Sequence, residues 1–392
     1  MADESILIAG GGIAGLAAAL ALARASHAAT VLEQAALFEE AGAGLQLGPN
    51  AVKALKYLGA WEAVEPSTFA PPQIMIRDGG SGAHLSRIGL GRAFERRFGE
   101  PYRVSHRADL LAGLLAAAQA STEIALMPGK RLTGFAETGR GVVAEIDTGE
   151  SFSGNALIGA DGVRSMVRQK LLGDGPPLFA GQVLFRALVP ISAASVDLDL
   201  AAVSLWLCPG AHVVHYPVSA GRQLNIIAAA HSSWTDDGWS AAADSAEVIQ
   251  HFQAAHHVLA AILAAPKSWM KWAGHRRRPA RRWSKGHATL IGDAAHPMLP
   301  FLAQGAAMAL EDAAVLSAVL SQDEDVPRAF ATYENHRIAR TGRVVRTSLR
   351  QASIYHASGP FRLARNAVFR LLGNDIFLSR LAWLYGWEPP EY

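Results

Sequence analysis

Apolar positions along the chain fall into two regimes. In the first, short apolar runs alternate with alanine- and leucine-rich stretches, as parallel strands and their covering helices do. Ser5 to Ala9 predicts a buried strand, Ala14 to Ala25 a helix, and Thr30 to Leu32 a second strand ending at Glu33. Helix is expected again from Ala51 and from Asp109 to Ala120, with strands at Val142 to Ile146 and Ala156 to Ile158. Gly79, Gly80 and Gly82 mark a hairpin or loop between them. From about Gly181 the regime changes. Strand-like segments follow closely at Val183 to Val189, Val203 to Cys208, His212 to Val218 and Leu224 to Ala229, which predicts an antiparallel sheet. Helix returns at Ala246 to Ala264, a strand at Ala288 to Ile291, and the chain from Gln304 onward reads as helix.

This pattern predicts an α/β, Rossmann-like fold interrupted by a β-rich insertion and closed by a helical segment. The expected division is a discontinuous nucleotide-binding domain over 1–75, 100–180 and 280–330, a sheet domain over 76–99 and 181–279, and a C-terminal segment over 331–392. Ser5 to Ala23 carries no charge over 19 residues, long enough to suggest a membrane span. Asp3 and Glu4 stand where a signal peptide would carry Lys or Arg, and Gly10, Gly11, Gly12 and Gly15 would weaken a continuous helix. Strand, turn and helix account for the run better.

Composition narrows the picture only a little. With 50% hydrophobic and 18% charged residues the chain is not a disordered one. A net charge of +2 argues for no particular partner, and one cysteine, Cys208, allows neither an internal disulfide nor a four-ligand cysteine zinc site. A cytoplasmic protein, monomeric or homodimeric, is expected. The basic clusters His275 to Arg282 and Arg337, Arg340, Arg343, Arg346, Arg350 read as solvated, ion-paired faces, since nucleic-acid binding would want aromatic platforms. The first cluster can also steer an anionic ligand.

Three motifs carry chemistry. The first is Gly10-x-Gly12-x-x-Gly15 between strand and helix, with Glu33 at the end of the next strand. Gly10 permits the turn, Gly12 admits a pyrophosphate, and Gly15 allows close packing; Ile13 and Ala14 open the helix whose positive end meets the phosphates. Glu33 stands at a spacing suited to an adenosine ribose. This signal alone does not separate FAD from NAD. The second motif runs from Asp161-Gly162 to Arg168, and the third is Gly292-Asp293-Ala294-Ala295-His296-Pro297 followed by Gln304-Gly305-Ala306. Asp293, ending a strand, suits sugar-like hydroxyls, and the helix opening at Gln304 can stabilise negative charge. His296 reads as a structural turn histidine, and Arg164 and Arg168 as surface arginines.

In this order the three motifs resemble the single-component flavoprotein aromatic hydroxylases, a family that includes salicylate, hydroxybenzoate and hydroxynicotinate hydroxylases. The resemblance extends to Tyr385-Gly386-Trp387. It implies bound FAD, NADH or NADPH as a transient reductant without its own Rossmann domain, O2, and a C4a-hydroperoxyflavin that hydroxylates a small phenolic acid or a hydroxylated N-heteroaromatic. It places Arg107 near the flavin phosphates, Gln46 beside the ring system, and Asp161 in a structural or FAD role. A histidine and a tyrosine four residues apart line the substrate pocket in related hydroxylases. Here they are His212 and Tyr216, on one face of a strand with Val214, while His215 points the other way. His212 is the candidate for holding or taking a phenol proton. Pro300 and Phe301 are apolar where some relatives carry a polar residue. Two rival functions remain: an NAD-dependent dehydrogenase, and a flavin-binding redox sensor without hydroxylase activity.

Overall fold

A computed structural model describes residues 5–39, 42–194, 199–234, 236 and 238–391; Asp3 and Glu4 lie outside them. The long uncharged run divides as its glycines suggest. Ile6–Ala9 is a fully buried strand and Ile13–Arg24 a helix whose Leu16, Ala17, Ala18 and Ala19 are wholly buried. Burial on every side explains the missing alternation: small residues let the helix lie between the sheet and the later helix Gly305–Gln322. No helix among the described residues is long and apolar enough to cross a membrane.

The strand Ile6–Ala9 is central in a five-stranded parallel sheet. The order is Ala288–Leu290, Ala156–Gly159, Ile6–Ala9, Ala29–Glu33, Ile124–Pro128. The strand from residue 288 thus completes a sheet begun 280 residues earlier, as expected of an interrupted nucleotide fold. A three-stranded sheet over Leu132–Thr138, Gly141–Ile146 and Ser151–Gly154 lies beside it.

The inserted sheet has eight strands. Its order is Ser240–Ala243, Trp269–Arg276, Leu178–Pro190, Gln223–His231, Ala211–Val218, Val203–Cys208, Gln73–Asp78, His84–Gly89. It is antiparallel except where Val203–Cys208 runs parallel to Gln73–Asp78. One face buries Phe185, Val213, Ile226 and Trp269 against Val248, Leu259 and Ile262 of the helices Ser245–Ile249 and His257–Ala264. The opposite face carries His212, Val214, Tyr216, Asn225, Ala229, Leu184 and Arg186 in register. It faces the nucleotide fold: Gly44 donates its N–H to Asn225 Oδ1 at 2.7 Å, and Leu299 and Phe301 pack on Leu184 and Ala229.

Several elements depart from the sequence reading. The helix expected over 246–264 is broken by a turn at Gln250–Phe252, and the strands Gly44–Leu47 and Trp269–Arg276 carried no clear pattern. In Trp269–Arg276 the interspersed Lys271, His275 and Arg276 mask the alternation. The arginine clusters are not uniformly solvated either. Arg276 is exposed, but Arg277 is buried and paired with Asp174 at 3.1 Å. Arg337 is 1% exposed: its Nε meets Asp312 at 2.6 Å and its Nη1 meets Glu311 at 2.8 Å. Arg168, read as a surface residue, is wholly buried and bound to Asp174. Such arginines look identical to solvated ones in sequence because partners that bury them lie far along the chain: carboxylates for Arg277 and Arg337, the Ala294 and Ala295 carbonyls for Arg168.

Candidate active site

The amino-terminal glycines differ in what surrounds them. Gly10 has φ +103°, and a Cβ there would lie 2.6 Å from the Ala160 carbonyl oxygen. A Cβ on Gly15 would come within 1.8 Å of the Gly10 oxygen. One on Gly12, the N-cap of Ile13–Arg24, would meet nothing within 4 Å. The first-turn N–H groups of Ile13, Ala14 and Gly15 therefore open on free space at the positive end of the helix, which suits a phosphate. Glu33 accepts the Gly11 N–H at 2.6 Å and the Ala35 N–H at 2.8 Å, so it holds the turn in shape. A carboxylate offers about four acceptor sites, which leaves room for a ribose.

Asp161 lies against Gly10 and caps the helix Met166–Leu172, its Oδ2 accepting from the N–H groups of Met166 and Val167 at 2.8 and 3.1 Å. Its Oδ1 is buried without a hydrogen-bond partner among the described residues, and burial raises the carboxyl pKa.

Gly292, at φ +61°, starts the turn that presents Asp293. Asp293 is open to solvent, yet desolvation by the surrounding walls raises its pKa, opposed by the charges of Arg107 and His296. The Asp293 carboxylate, exposed yet desolvated by its neighbours, forms part of a floor that a ligand can reach. The turn is braced from behind. Arg168 donates to the carbonyls of Ala294 and Ala295 at 2.9 and 2.6 Å, and Asp312 accepts from the Gly292 N–H at 3.1 Å. His296 Nε2 lies 2.5 Å from the same Asp312 oxygen. Burial would raise Asp312, but His296 and Arg337 outweigh it and hold the carboxyl at about 2. Gln304 caps the helix Gly305–Gln322 and accepts from Asn50 Nδ2 at 3.0 Å; Gly305 and Ala306 are half-exposed, and a Cβ on Gly305 would meet nothing within 4 Å.

Arg107 joins this floor to the sheet. It opens the helix Arg107–Gln119, donates its N–H to Ala43 at 3.0 Å, and packs on Gly42. The loop then crosses the sheet so closely that a Cβ on Gly44 would lie 2.6 Å from Tyr216 Cε2. Gln46 hydrogen-bonds Tyr216 and accepts from the Tyr102 hydroxyl, which is in turn bonded to Tyr385. Burial pushes the Tyr216 phenol up, against the Arg186 charge and the Gln46 bond, so it stays neutral. His212 is 4% exposed, with its ring 5.2 Å from those of Phe301 and Tyr355. Burial and the neighbouring His356 hold its pKa well below the usual range, so it rests as a neutral imidazole.

The family profile described as FAD binding domain matches residues 3–348. The chain belongs to the FAD-binding family of flavoprotein aromatic hydroxylases. It is 40% identical over 389 residues to a 3-hydroxybenzoate 6-hydroxylase of Polaromonas naphthalenivorans, covering 99% of this chain and 97% of the relative. Among solved structures it superimposes on Klebsiella pneumoniae HpxO complexed with FAD and uric acid, at 27% identity, TM-score 0.86, and 98% and 97% coverage. A salicylate hydroxylase substrate complex gives 26% identity, TM-score 0.84, and 99% and 96% coverage.

In this hydroxylase the motif residues gather as one floor and His212 and Tyr216 as one wall. The residues present fit FAD: open space at Gly12 and Gly305, Asp161 with one oxygen unpartnered among the described residues, and an exposed Asp293 near Arg107. The sequence reading missed Tyr102, Asn225, Tyr355 and His356. Each is an ordinary aromatic or polar residue in its own segment, and only pairing across the fold brings it to the wall. The Tyr385-Gly386-Trp387 region offered the one hint.

Proposed function

We propose that this hydroxylase is an NAD(P)H-consuming FAD monooxygenase acting on a small phenolic aromatic acid, with 3-hydroxybenzoate the first candidate. The observation that carries the reading is a neutral, buried His212 on the same strand face as Tyr216, opposite the loop of Gln46. The 40% identical relative named for 3-hydroxybenzoate adds support for the substrate. With Pro300 and Phe301 apolar, His212 and Tyr216 are the groups on this wall that this reading assigns to the ring hydroxyl.

In this reading the first-turn N–H groups of Ile13 and Ala14, with Gly10, Gly12 and Gly15 clearing the way, hold the pyrophosphate. Glu33 takes the adenosine ribose, Asp161 stiffens the turn, Asp293 takes ribityl hydroxyls, and Arg107 lies near the phosphates. Gln46 and the helix start at Gln304, Gly305 and Ala306 flank the ring system. FAD, once reduced by NADH or NADPH, supplies the activation of O2. The protein's own part is to position the ring, exclude water and move a proton. A phenol near pKa 10 is a poor nucleophile and its phenolate a good one. His212 accepts that proton, and Tyr216 donates a hydrogen bond that keeps the ring in register.

The test is His212→Ala. FAD content should match the wild type, because the residue lies on the inserted sheet. Product formation from 3-hydroxybenzoate, read by mass, should fall by about 10²- to 10⁴-fold and recover partly as pH rises. Wild-type product yield with an unchanged pH profile would make the histidine structural.

A further inference from the structure

His212 is buried, so a proton it takes must go somewhere. The described groups around it lead in one direction. From the long helix Val326–Tyr355 and its C-cap come Tyr355 and His356; from the turn Pro300–Leu302 comes Phe301, which cannot carry a proton. Tyr355 is held as a neutral phenol by burial. His356 shares a hydrogen bond with His212, Nδ1 to Nε2, at 2.8 Å. His356 is 7% exposed, and its other nitrogen, Nδ1, is buried without a hydrogen-bond partner among the described residues. Its ring lies edge-on to that of His231, centroids 5.1 Å apart. His231 is exposed at the end of its strand and contacts Gln182 and the Gly181 carbonyl. It lines a pocket of about 220 Å³ with Gln182, Arg276, Leu299, Ala352 and Ser353.

Three imidazoles thus run from buried to exposed in the order 212, 356, 231. We propose that His356 is a relay residue that carries the substrate's phenolic proton from His212 to His231 and the solvent of that pocket. The inference rests on the proposed phenol chemistry and deepens it. His212 accepts the phenolic proton on one nitrogen and releases the proton of the other to His356. His356 accepts on one nitrogen and gives up the proton of the other to His231 through water, since both His231 ring nitrogens lie within hydrogen-bond distance of Gln182 Nε2. One proton leaves the phenol and one reaches solvent; no electrons move. The tautomers of His212 and His356 are then inverted, and returning a proton to the product oxygen by the same route resets them.

The charged neighbours agree with this role. His356 faces His212 and His231 from the sheet and Arg365 from the helix Gly359–Leu371. Burial first, then the charges of His231 and Arg365, hold its pKa down at about 4. It is therefore neutral at pH 7 and cannot trap the proton. A nitrogen buried with no partner costs stability unless something uses it.

The decisive variant is His356→Gln, whose amide can keep a hydrogen bond to His212 but cannot pass a proton on; His356→Ala is its companion. FAD content should be unchanged. With 3-hydroxybenzoate at pH 7, product formation should fall by about 10²-fold in both variants, the low end for a lost proton-transfer group. The loss should shrink as pH approaches 10, and added imidazole should rescue His356→Ala. A His356→Gln enzyme with the wild-type rate and pH profile would overturn the relay and leave His356 a structural support. A ligand-free readout separates this from the substrate assignment. In ¹⁵N-histidine spectra of the FAD-loaded protein, the His212 ring N–H should exchange with solvent more slowly in His356→Gln than in wild type. Equal exchange overturns the relay whatever the substrate is. Absence of hydroxylation by the wild-type enzyme with slowed exchange in the variant would refute the substrate alone.

Discussion

Gly12 and Tyr216 are built into the molecule in opposite ways. Around Gly12 the working groups are backbone N–H groups within a single strand–turn–helix, shaped by residues a few positions apart. Around Tyr216 the working groups are side chains from segments far apart in sequence: Gln46, Tyr102, His212, Asn225 and Tyr385. A backbone site is specified by the absence of side chains, so its glycines cannot vary freely. A side-chain wall can be remade residue by residue while the sheet beneath it stays, which is how one fold serves many ring substrates.

The largest effect sharpens the first half of that contrast. Gly12 and Gly15 belong to one motif but face different surroundings. Gly15→Val would place its Cβ 1.8 Å from the Gly10 carbonyl oxygen, so no folded protein should be recovered. Gly12→Val meets only open space, so the variant should be soluble, with native far-UV circular dichroism, yet free of flavin absorbance. Stoichiometric FAD in Gly12→Val would remove the phosphate cradle from this helix.

Next in size is the buried cluster that braces the Asp293 turn. Arg337→Met leaves the Asp312 and Glu311 carboxylates short of a partner in a buried site. Breaking a buried pair from one side costs about 3–5 kcal/mol, which should appear as a lower urea midpoint. The pH dependence has a definite sign. Asp312 is held at about 2, below the ordinary value near 4. Its contribution is therefore complete above about pH 4 and lost as pH falls through 2. That acid-dependent component should diminish in Arg337→Met. An unchanged midpoint and acid profile would show that the cluster does not support the turn.

The same contrast explains what could be read from the sequence. The parallel sheet, the three motifs and the return of the fold at Ala288 were legible because each is a local pattern: an apolar run, a glycine spacing, a helix start. The face of the His212 strand was legible too, since alternation alone places His212 and Tyr216 together and sends His215 to the far side, where it accepts from the Trp206 indole at 3.1 Å. The strand Trp269–Arg276 was hidden by its charges, and Arg168 and Arg337 were misread because nothing local announces a partner more than 100 residues away or on another helix. Tyr102, Tyr355 and His356 have no motif of their own. They become functional candidates only through the register of the inserted sheet and the end of one long helix.

The smallest effect concerns the basic segment, which the fold divides. Arg277 is buried on Asp174, the Val163 carbonyl and the Gly175 carbonyl, so its loss is a matter of local structure. Arg276 is exposed and lines the pocket beside His231, where its charge can draw in an anionic aromatic acid. An exposed charge interaction is worth about 0.2–1 kcal/mol, so Arg276→Ser should lower kcat/KM for 3-hydroxybenzoate by a factor of about 1.4 to 5 at low ionic strength. The Debye length is about 10 Å at 0.1 M salt and about 3 Å at 1 M. The difference between Arg276→Ser and wild type should therefore vanish at high salt, with kcat the same throughout. Arg277→Ser should instead show a salt-independent fall in both stability and activity. If the two variants behave alike at every salt concentration, the pocket by His231 has no steering role and both arginines serve only to tie the sheet to the nucleotide fold.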